Sequence, residues 1–325
     1  MRTPGSPSAF AWAAALALAV IIPFFTGDYV TSILTLICIW SIMAMSLNLI
    51  YGYTGQLSLG HSAFLGIGAY ALGLMAVKLH LGFWPAFFTA SGLSALFGFL
   101  IGIPALRLRG PYFVLVTLGF ACIIGVIVLA WVDFTGGANG LAGMPRPNPL
   151  PLPWGGRFAF DTVRHMYYFV LFFLVLIAFL CHRIIHSLLG RTFIAISQDE
   201  NLAESLGINT MGKKLMSFTV SAAFAGVAGA LYASYNVVIS PDVAYFTRGM
   251  DVVACLVVGG AGTQAGPIVG TLVLMSIPEA LQIASHLKTL IIGVILLLFV
   301  IFLPSGIAGG FKAVFGRSRS ITGPG

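Results

Sequence analysis

A chain of 325 residues with 59% hydrophobic and only 8% charged residues is excluded from the ordinary soluble domains, in which charged residues make up roughly a quarter. Its 16 Lys and Arg outweigh 9 Asp and Glu, for a net charge of +7, but they stand in loops beside long apolar runs, where orientation in a membrane accounts for them. The composition predicts an all-α integral membrane protein with lipid as its surroundings and no nucleic-acid partner.

Apolar runs that match a hydrocarbon core of roughly 30 Å fall, in chain order, at 9–25, 30–51, 57–77, 83–105, 111–132, 166–185, 215–238, 266–283 and 287–303. They give a polytopic helical bundle of about nine spans in a single domain, 1–325. The first run follows Arg2 as a signal peptide would, but no small-residue cleavage site follows it and another span begins almost at once, so it is expected to stay as an anchor. Between the second and third runs, a glycine-rich break at 52–60 holds Tyr53, Thr54, Gln56 and Ser58, with His61 and Ser62 directly behind it. Lipid offers no hydrogen bonds, so non-helical backbone at membrane depth survives only where protein buries it or water reaches it. A polar break therefore points at a transport path, and Tyr53, Gln56, Ser58, His61 and Ser62 are the candidate path residues. For His61 a structural hydrogen bond to a neighbouring helix is the equal alternative.

The longest loop, 133–165, precedes the sixth run. Behind that run, the segment 186–214 holds six of the chain's charged residues: Arg191, Asp199, Glu200, Glu204, Lys213 and Lys214. Ser197 and Glu200 read as a capping box, Asp199 adds negative charge to the first turn, and Gly207 is placed to end the helix in a left-handed cap. Leu202, Ala203 and Leu206 would share one face. A short amphipathic helix on a membrane protein's loop either docks on a soluble partner or packs on its own chain. The next run carries a seam of small residues, Ala222, Ala225, Gly226, Gly229 and Ala230, suited to close helix packing.

A ten-residue apolar piece, 252–261, then ends in a second break, GTQAGP at 262–267. Ten helical residues reach about 15 Å, half a membrane. If the piece is ignored, nine crossings from a cytoplasmic N-terminus divide Lys and Arg 8 and 8. If it joins the next run as one broken or re-entrant element adding an effective pass, the division is 10 inside and 6 outside. The positive-inside rule prefers the second arrangement, with both termini cytoplasmic.

Other patterns carry no chemistry. GINTMGKK at 207–214 has Lys214 where a phosphate-binding loop needs Ser or Thr, and no strand precedes it. His182 and His186 are spaced to face one metal, but Arg183 stands where a zinc protease has its glutamate. Gly66, Gly68 and Ala71 suit close packing within an apolar span. Cys38, Cys122, Cys181 and Cys255 are single and lie in apolar runs, suggesting neither disulfides nor zinc. Glu279 alone cannot form an ion relay, and Asp133, Asp242, Asp251 and Arg248 read as scattered near the outer face. No catalytic, metal or cofactor site is expected.

The segments 47–73 (LNLIYGYTGQLSLGHSAFLGIGAYALG), 109–121 (RGPYFVLVTLGFA), 135–145 (TGGANGLAGMP), 190–208 (GRTFIAISQDENLAESLGI), 221–233 (SAAFAGVAGALYA) and 257–270 (VVGGAGTQAGPIVG) resemble, in order, those of LivM-type branched-chain amino-acid ABC transporter permeases. The resemblance implies a bacterial inner-membrane permease that pairs with a second permease, two cytoplasmic ATP-binding subunits and a periplasmic substrate-binding protein. It makes 186–214 a cytoplasmic coupling loop and 133–165 a periplasmic one. The residues it assigns to ATPase coupling are Arg191, Asp199, Glu200, Ala203, Glu204 and Gly207. Ile196 and Gln198 flank Ser197 where the family commonly has basic residues. The resemblance also implies an ATP-driven importer whose cargo is branched-chain amino acids, with urea or short amides, carried by relatives of the same architecture, as the alternative. A stand-alone secondary transporter would need coupling carboxylates in the spans, and none is visible.

Overall fold

The computed structural model describes residues 9–151, 157–158, 160–280, 293–294, 296–297 and 306–307. Its helices are α1 (Ala9–Phe25), α2 (Asp28–Ile50), α3 (His61–Gly73), α4 (Phe83–Ala105), α5 (Pro111–Ala130), α6 (Val132–Thr135), α7 (Val163–Ile185), α8 (Leu188–Gln198), α9 (Glu200–Ser205), α10 (Thr210–Asn236), α11 (Phe246–Gly259) and α12 (Gly266–Ala280). A π turn, Leu74–Lys78, prolongs α3. Six helices are long and apolar enough to cross a membrane: α2, α3 with its π turn, α4, α5, α7 and α10. Shorter apolar stretches occur in α1 (Trp12–Phe25) and α12 (Gly266–Ser276). Six full-length spans thus stand among the described residues against the nine expected, and the run 287–303 falls almost wholly outside them.

The helix α10 is the axis of the bundle, packed against α3, α4 and α2. Lipid tails are as apolar as leucine, so helices gain by close approach rather than by hiding from water, and small residues permit it. The seam at 222–230 does this: Ala222, Ala225 and Ala230 are fully buried. Gly68 leaves no room for a side chain against the Gly226 carbonyl, and Gly229 none against the Leu65 carbonyl. Ser94 of α4 donates to the Phe64 carbonyl at 3.1 Å. Phe64 meets Phe218 and Phe120, each at 5.4 Å between ring centres.

Beyond α10 the chain folds back into the bundle. Strand β1 (Leu141–Ala142) pairs antiparallel with β4 (Val238–Ile239), and β2 (Leu150–Pro151) with β3 (Arg157–Phe158). At two residues per strand these ladders leave the fold all-helical as expected, and the first ties the long loop to the exit of α10. A 3-10 turn, Pro241–Ala244, then seats Ala244 on Gly66, where an added Cβ would come within 2.6 Å of the Ala244 methyl. From there α11 runs 14 residues, about 21 Å at 1.5 Å per residue. It is longer than the expected ten-residue piece because the helix starts at Phe246 and takes in Arg248 and Asp251, charges that sequence patterning leaves out of an apolar segment. The next helix, α12, returns alongside, with Gly266 against Gly259 and Gly270 against Cys255.

Replacing Gly229 with Val is expected to wedge α3 from α10. A backbone carbonyl cannot yield as a flexible side chain can, so a loss of about 1–3 kcal/mol or more is expected, read as a lower midpoint of heat-induced aggregation in detergent. Gly119→Ala, with open space around it, should leave that midpoint unchanged or raise it.

Candidate functional site

The charged segment forms two helices instead of one. In α8, the Ser187 hydroxyl accepts from the Gly190 N–H at 3.5 Å, and Phe193 and Ile196 are buried. Asp199 then adopts an extended conformation (φ −154°), ending α8 and capping α9 by accepting from the Leu202 N–H at 3.0 Å. The expected capping box of Ser197 and Glu200 is therefore replaced. Ser197 donates to the Ile194 carbonyl at 2.8 Å within α8, and Glu200 turns to Lys214 at 2.5 Å, with Arg109 at 3.9 Å. Asp199 wins because it breaks the chain direction where α9 must turn toward Lys214.

The cap at Gly207 is as expected. Its φ is +80°, and the bonds Gly207 N–H to Glu204 carbonyl (2.9 Å) and Ile208 N–H to Ala203 carbonyl (3.1 Å) form a Schellman motif. Ala203 faces inward at 2% exposure, whereas Leu202 and Leu206 are 59% and 73% exposed. The three do not share one face: Ala203 packs on the bundle and the two leucines point away. Glu204 accepts from the Thr210 hydroxyl at 2.7 Å, and Arg109 donates to Asn201 at 3.2 Å. Arg191 is exposed on α8. Both acidic residues of α9 are thus occupied within the chain, and Lys214, only 1% exposed, is a buried anchor that sequence reading passed over as part of a false phosphate loop.

The break behind α2 lies at the same end. Gly55 (φ +76°) packs against Ser197, 3.2 Å from its Cβ for an added methyl. The Thr54 hydroxyl meets that of Ser217 in α10 at 2.9 Å. The candidate path residues diverge. Tyr53 lines a cavity of about 10 Å³ with Met45, Asn48, Cys181 and Gln264, room for about one water. Gln56 is half-buried and Ser58 fully buried, bonding its own backbone at the Gly60 N–H. His61 is fully buried, with Nε2 at 2.7 Å from the Ser221 hydroxyl, which itself donates to the Ser46 carbonyl. Ser221 has one hydrogen and spends it on Ser46, so His61 Nε2 is the donor. Ser62 is buried with an unpartnered hydroxyl and lies beside Gly249 of α11.

Sequence reading identified two breaks but not that they meet. Asn48 joins them: its Oδ1 accepts from the Gly262 N–H at 2.9 Å and its Nδ2 donates to the Thr263 carbonyl at 2.8 Å. A lone amide inside an apolar run was the available signal. His182 bonds Gln264 at 2.9 Å and stacks on His186, and no metal-binding group of three or more His, Cys, Asp or Glu occurs among the described residues. Arg248 and Asp242, read as scattered, are bonded at 2.7 Å.

A broken helix pair locked to a polar break, beside a short capped helix that offers leucines outward, is set in a bundle with six helices long and apolar enough to cross a membrane. Residues 29–300 match the family described as branched-chain amino acid transport system / permease component, and the chain belongs to that family, whose members transport and are not enzymes. It is 35% identical over 90% of its length to 73% of the high-affinity branched-chain amino acid transport system permease protein LivM of Escherichia coli K12. It is 27% identical over 83% of its length to 91% of the LivH permease of the same strain. The BraD permease of Pseudomonas aeruginosa is likewise 27% identical over 83% of this chain and 91% of its own. No solved structure matches.

Lys214→Met should loosen α9. Removing one partner strands the other charge, and with Glu200 partly exposed and Arg109 near, the cost should be on the order of 2 kcal/mol, below that of a fully buried pair. Amide hydrogen exchange at 201–208 should speed up by more than tenfold. Adding Glu200→Gln should restore part of the protection, because no charge is then left stranded.

Proposed function

We propose that this chain is one of two permease subunits of an ATP-driven importer for branched-chain amino acids in a bacterial inner membrane. Its partners are a second permease of similar fold, two cytoplasmic ATP-binding subunits and a periplasmic substrate-binding protein. The observation that carries the reading is α9: a helix clamped to the bundle by Lys214 and Thr210 through its acids while Leu202 and Leu206 stand exposed. Held from behind and apolar in front, it is built to receive a push from a soluble partner. The names of the relatives supply the substrate class.

In this reading the α9 end is cytoplasmic and the loop 133–165 is periplasmic. The re-entrant pass formed by α11 and α12 makes the number of crossings even and returns the C-terminus to the cytoplasm. Arg191, Asp199, Glu200, Ala203, Glu204 and Gly207 shape the coupling helix, with the two leucines as its contact surface. Tyr53, Gln56, Ser58, His61 and Ser62 border the path. Nucleotide-driven closure of the motors moves α9, and α9 moves the break through the contact of Ser197 with Gly55.

Leu206→Asp should leave insertion and thermal stability intact, since the side chain touches little of its own chain. In reconstituted complexes it should reduce co-purification of the ATP-binding subunits and lower leucine uptake by about tenfold or more. Normal assembly and uptake would remove α9 from the coupling route. Uptake of urea without leucine would reassign the substrate.

A reporter active only in the cytoplasm, fused after Gly316, should be active. A periplasmic-only reporter that works at this position would overturn the even count of crossings.

A further inference from the structure

A charged cluster lies around the start of α11, alongside α5, a helix long and apolar enough to cross a membrane. Gly60 packs on Thr117 and Tyr245 on Gly125, so the 3-10 turn before α11 sits beside the outer part of α5, five residues or about 7.5 Å short of its end at Ala130. Arg248 and Asp242 are paired there at 2.7 Å, and Asp242 also accepts from Ser240. The guanidinium is 5.9 Å from the Trp40 ring, which meets Tyr232 at 6.2 Å. Asp251 and Tyr232 lie within electrostatic reach of Arg248, and Tyr70 and Tyr232 within reach of Asp242. The pair's side chains keep 34% and 41% of their exposure. Exposed charge alongside α5 is not tolerated against lipid, so that side faces water or protein.

Two further groups point inward with nothing to bind. The hydroxyls of Ser62 and Tyr70, residues 0% and 4% exposed, have no hydrogen-bond partner. Ser62 adjoins Gly249 in the first turn of α11, 3.3 Å from an added Cβ, where the backbone N–H groups of a 14-residue helix give a positive end. A buried unpartnered hydroxyl costs stability, and two of them flanking one ion pair and one helix start have a common explanation in a ligand.

We propose that this cluster is an amino-acid subsite on the outer side of the path, in which Arg248 and the α11 N-terminus receive the substrate carboxylate, Asp242 its ammonium group, and Trp40 with Tyr232 its apolar side chain. The inference rests on the import function proposed above. Arg248 spends part of its donor fork on Asp242 and keeps other N–H groups for a second carboxylate. A zwitterion matches the pair end for end, and Ser62 and Tyr70 supply the remaining donors. Urea, which has no charged ends, has no use for the ion pair.

The test uses the full complex of permeases, ATP-binding subunits and binding protein in proteoliposomes. Tyr70→Phe and Ser62→Ala separate ligand from brace, because removing an unpartnered hydroxyl leaves stability unchanged or raises it. The expected result is a heat-inactivation midpoint at or above that of the wild type, ATP hydrolysis still stimulated by loaded binding protein, and leucine uptake down by about fivefold for each. Exchanging the charges with Asp242→Arg and Arg248→Asp should keep the complex assembled and lose uptake at least tenfold. Recovery of uptake by the exchanged pair, or unchanged uptake in both hydroxyl variants, makes the cluster a structural brace and overturns the subsite alone. A wild-type complex that moves no branched-chain amino acid overturns the proposed function and the subsite with it.

Discussion

Backbone that leaves the helix inside a membrane must find its hydrogen bonds in the protein, and one side chain meets much of that demand here. Asn48 uses acceptor and donor together to hold Gly262 and Thr263, so the turn between α11 and α12 is closed by α2 and not by solvent. The same constraint explains Gly52, where any side chain would collide with Asn48 and the Gly262 backbone. Losing the amide would leave the Gly262 N–H and the Thr263 carbonyl without this partner at once. The α11 hairpin, and therefore the position of Arg248, depends on this joint.

A second constraint is electrostatic and lies at the same end. Lys214 is almost completely buried, and a buried ammonium persists only with a partner. Glu200 is that partner, so α9 is oriented by the need to neutralise a charge at the root of α10. This turns the acidic residues of α9 inward and leaves Leu202 and Leu206 exposed on its other side. Reversing the charge of Glu200 would thus act first on the chain itself, by opposing Lys214 and Arg109, before any surface of a partner was touched.

How much of this was legible follows from which interactions are local. The helices at 9–25 and 83–105 have the bounds read from the sequence, because length and hydropathy are properties of one segment. The left-handed cap at Gly207 was legible for the same reason. The split at Asp199 was not, since Ser197 and Asp199 are both good caps and the choice is made by Lys214, 15 residues away. The start of α11 was also hidden: Arg248 and Asp251 look foreign to an apolar helix until Asp242 is brought beside Arg248 by the turn on Gly66. For the candidate path residues, the sequence marked where the chain leaves the helix but could not say that the side chains there point to different neighbours.

Those different neighbours make the break a junction between the two ends of the molecule. Ser197 closes α8 and touches Gly55, Thr54 next to it bonds Ser217, and one turn further along α10 Ser221 bonds His61. Ser62, the next residue, lies against Gly249 at the root of α11, and Arg248 follows from there. Each link is a side-chain hydrogen bond or a van der Waals contact made possible by a glycine. These links connect α8 to the break, and the break to α10 and α11. The glycine at position 55 gives the break its freedom of backbone, whereas the hydroxyl chain fixes which atoms must move together. The coupling proposed for this chain thus needs no long rigid lever: α9 and the Arg248–Asp242 pair are joined through the polar break at 52–60, which Asn48 ties to the second break at 262–267.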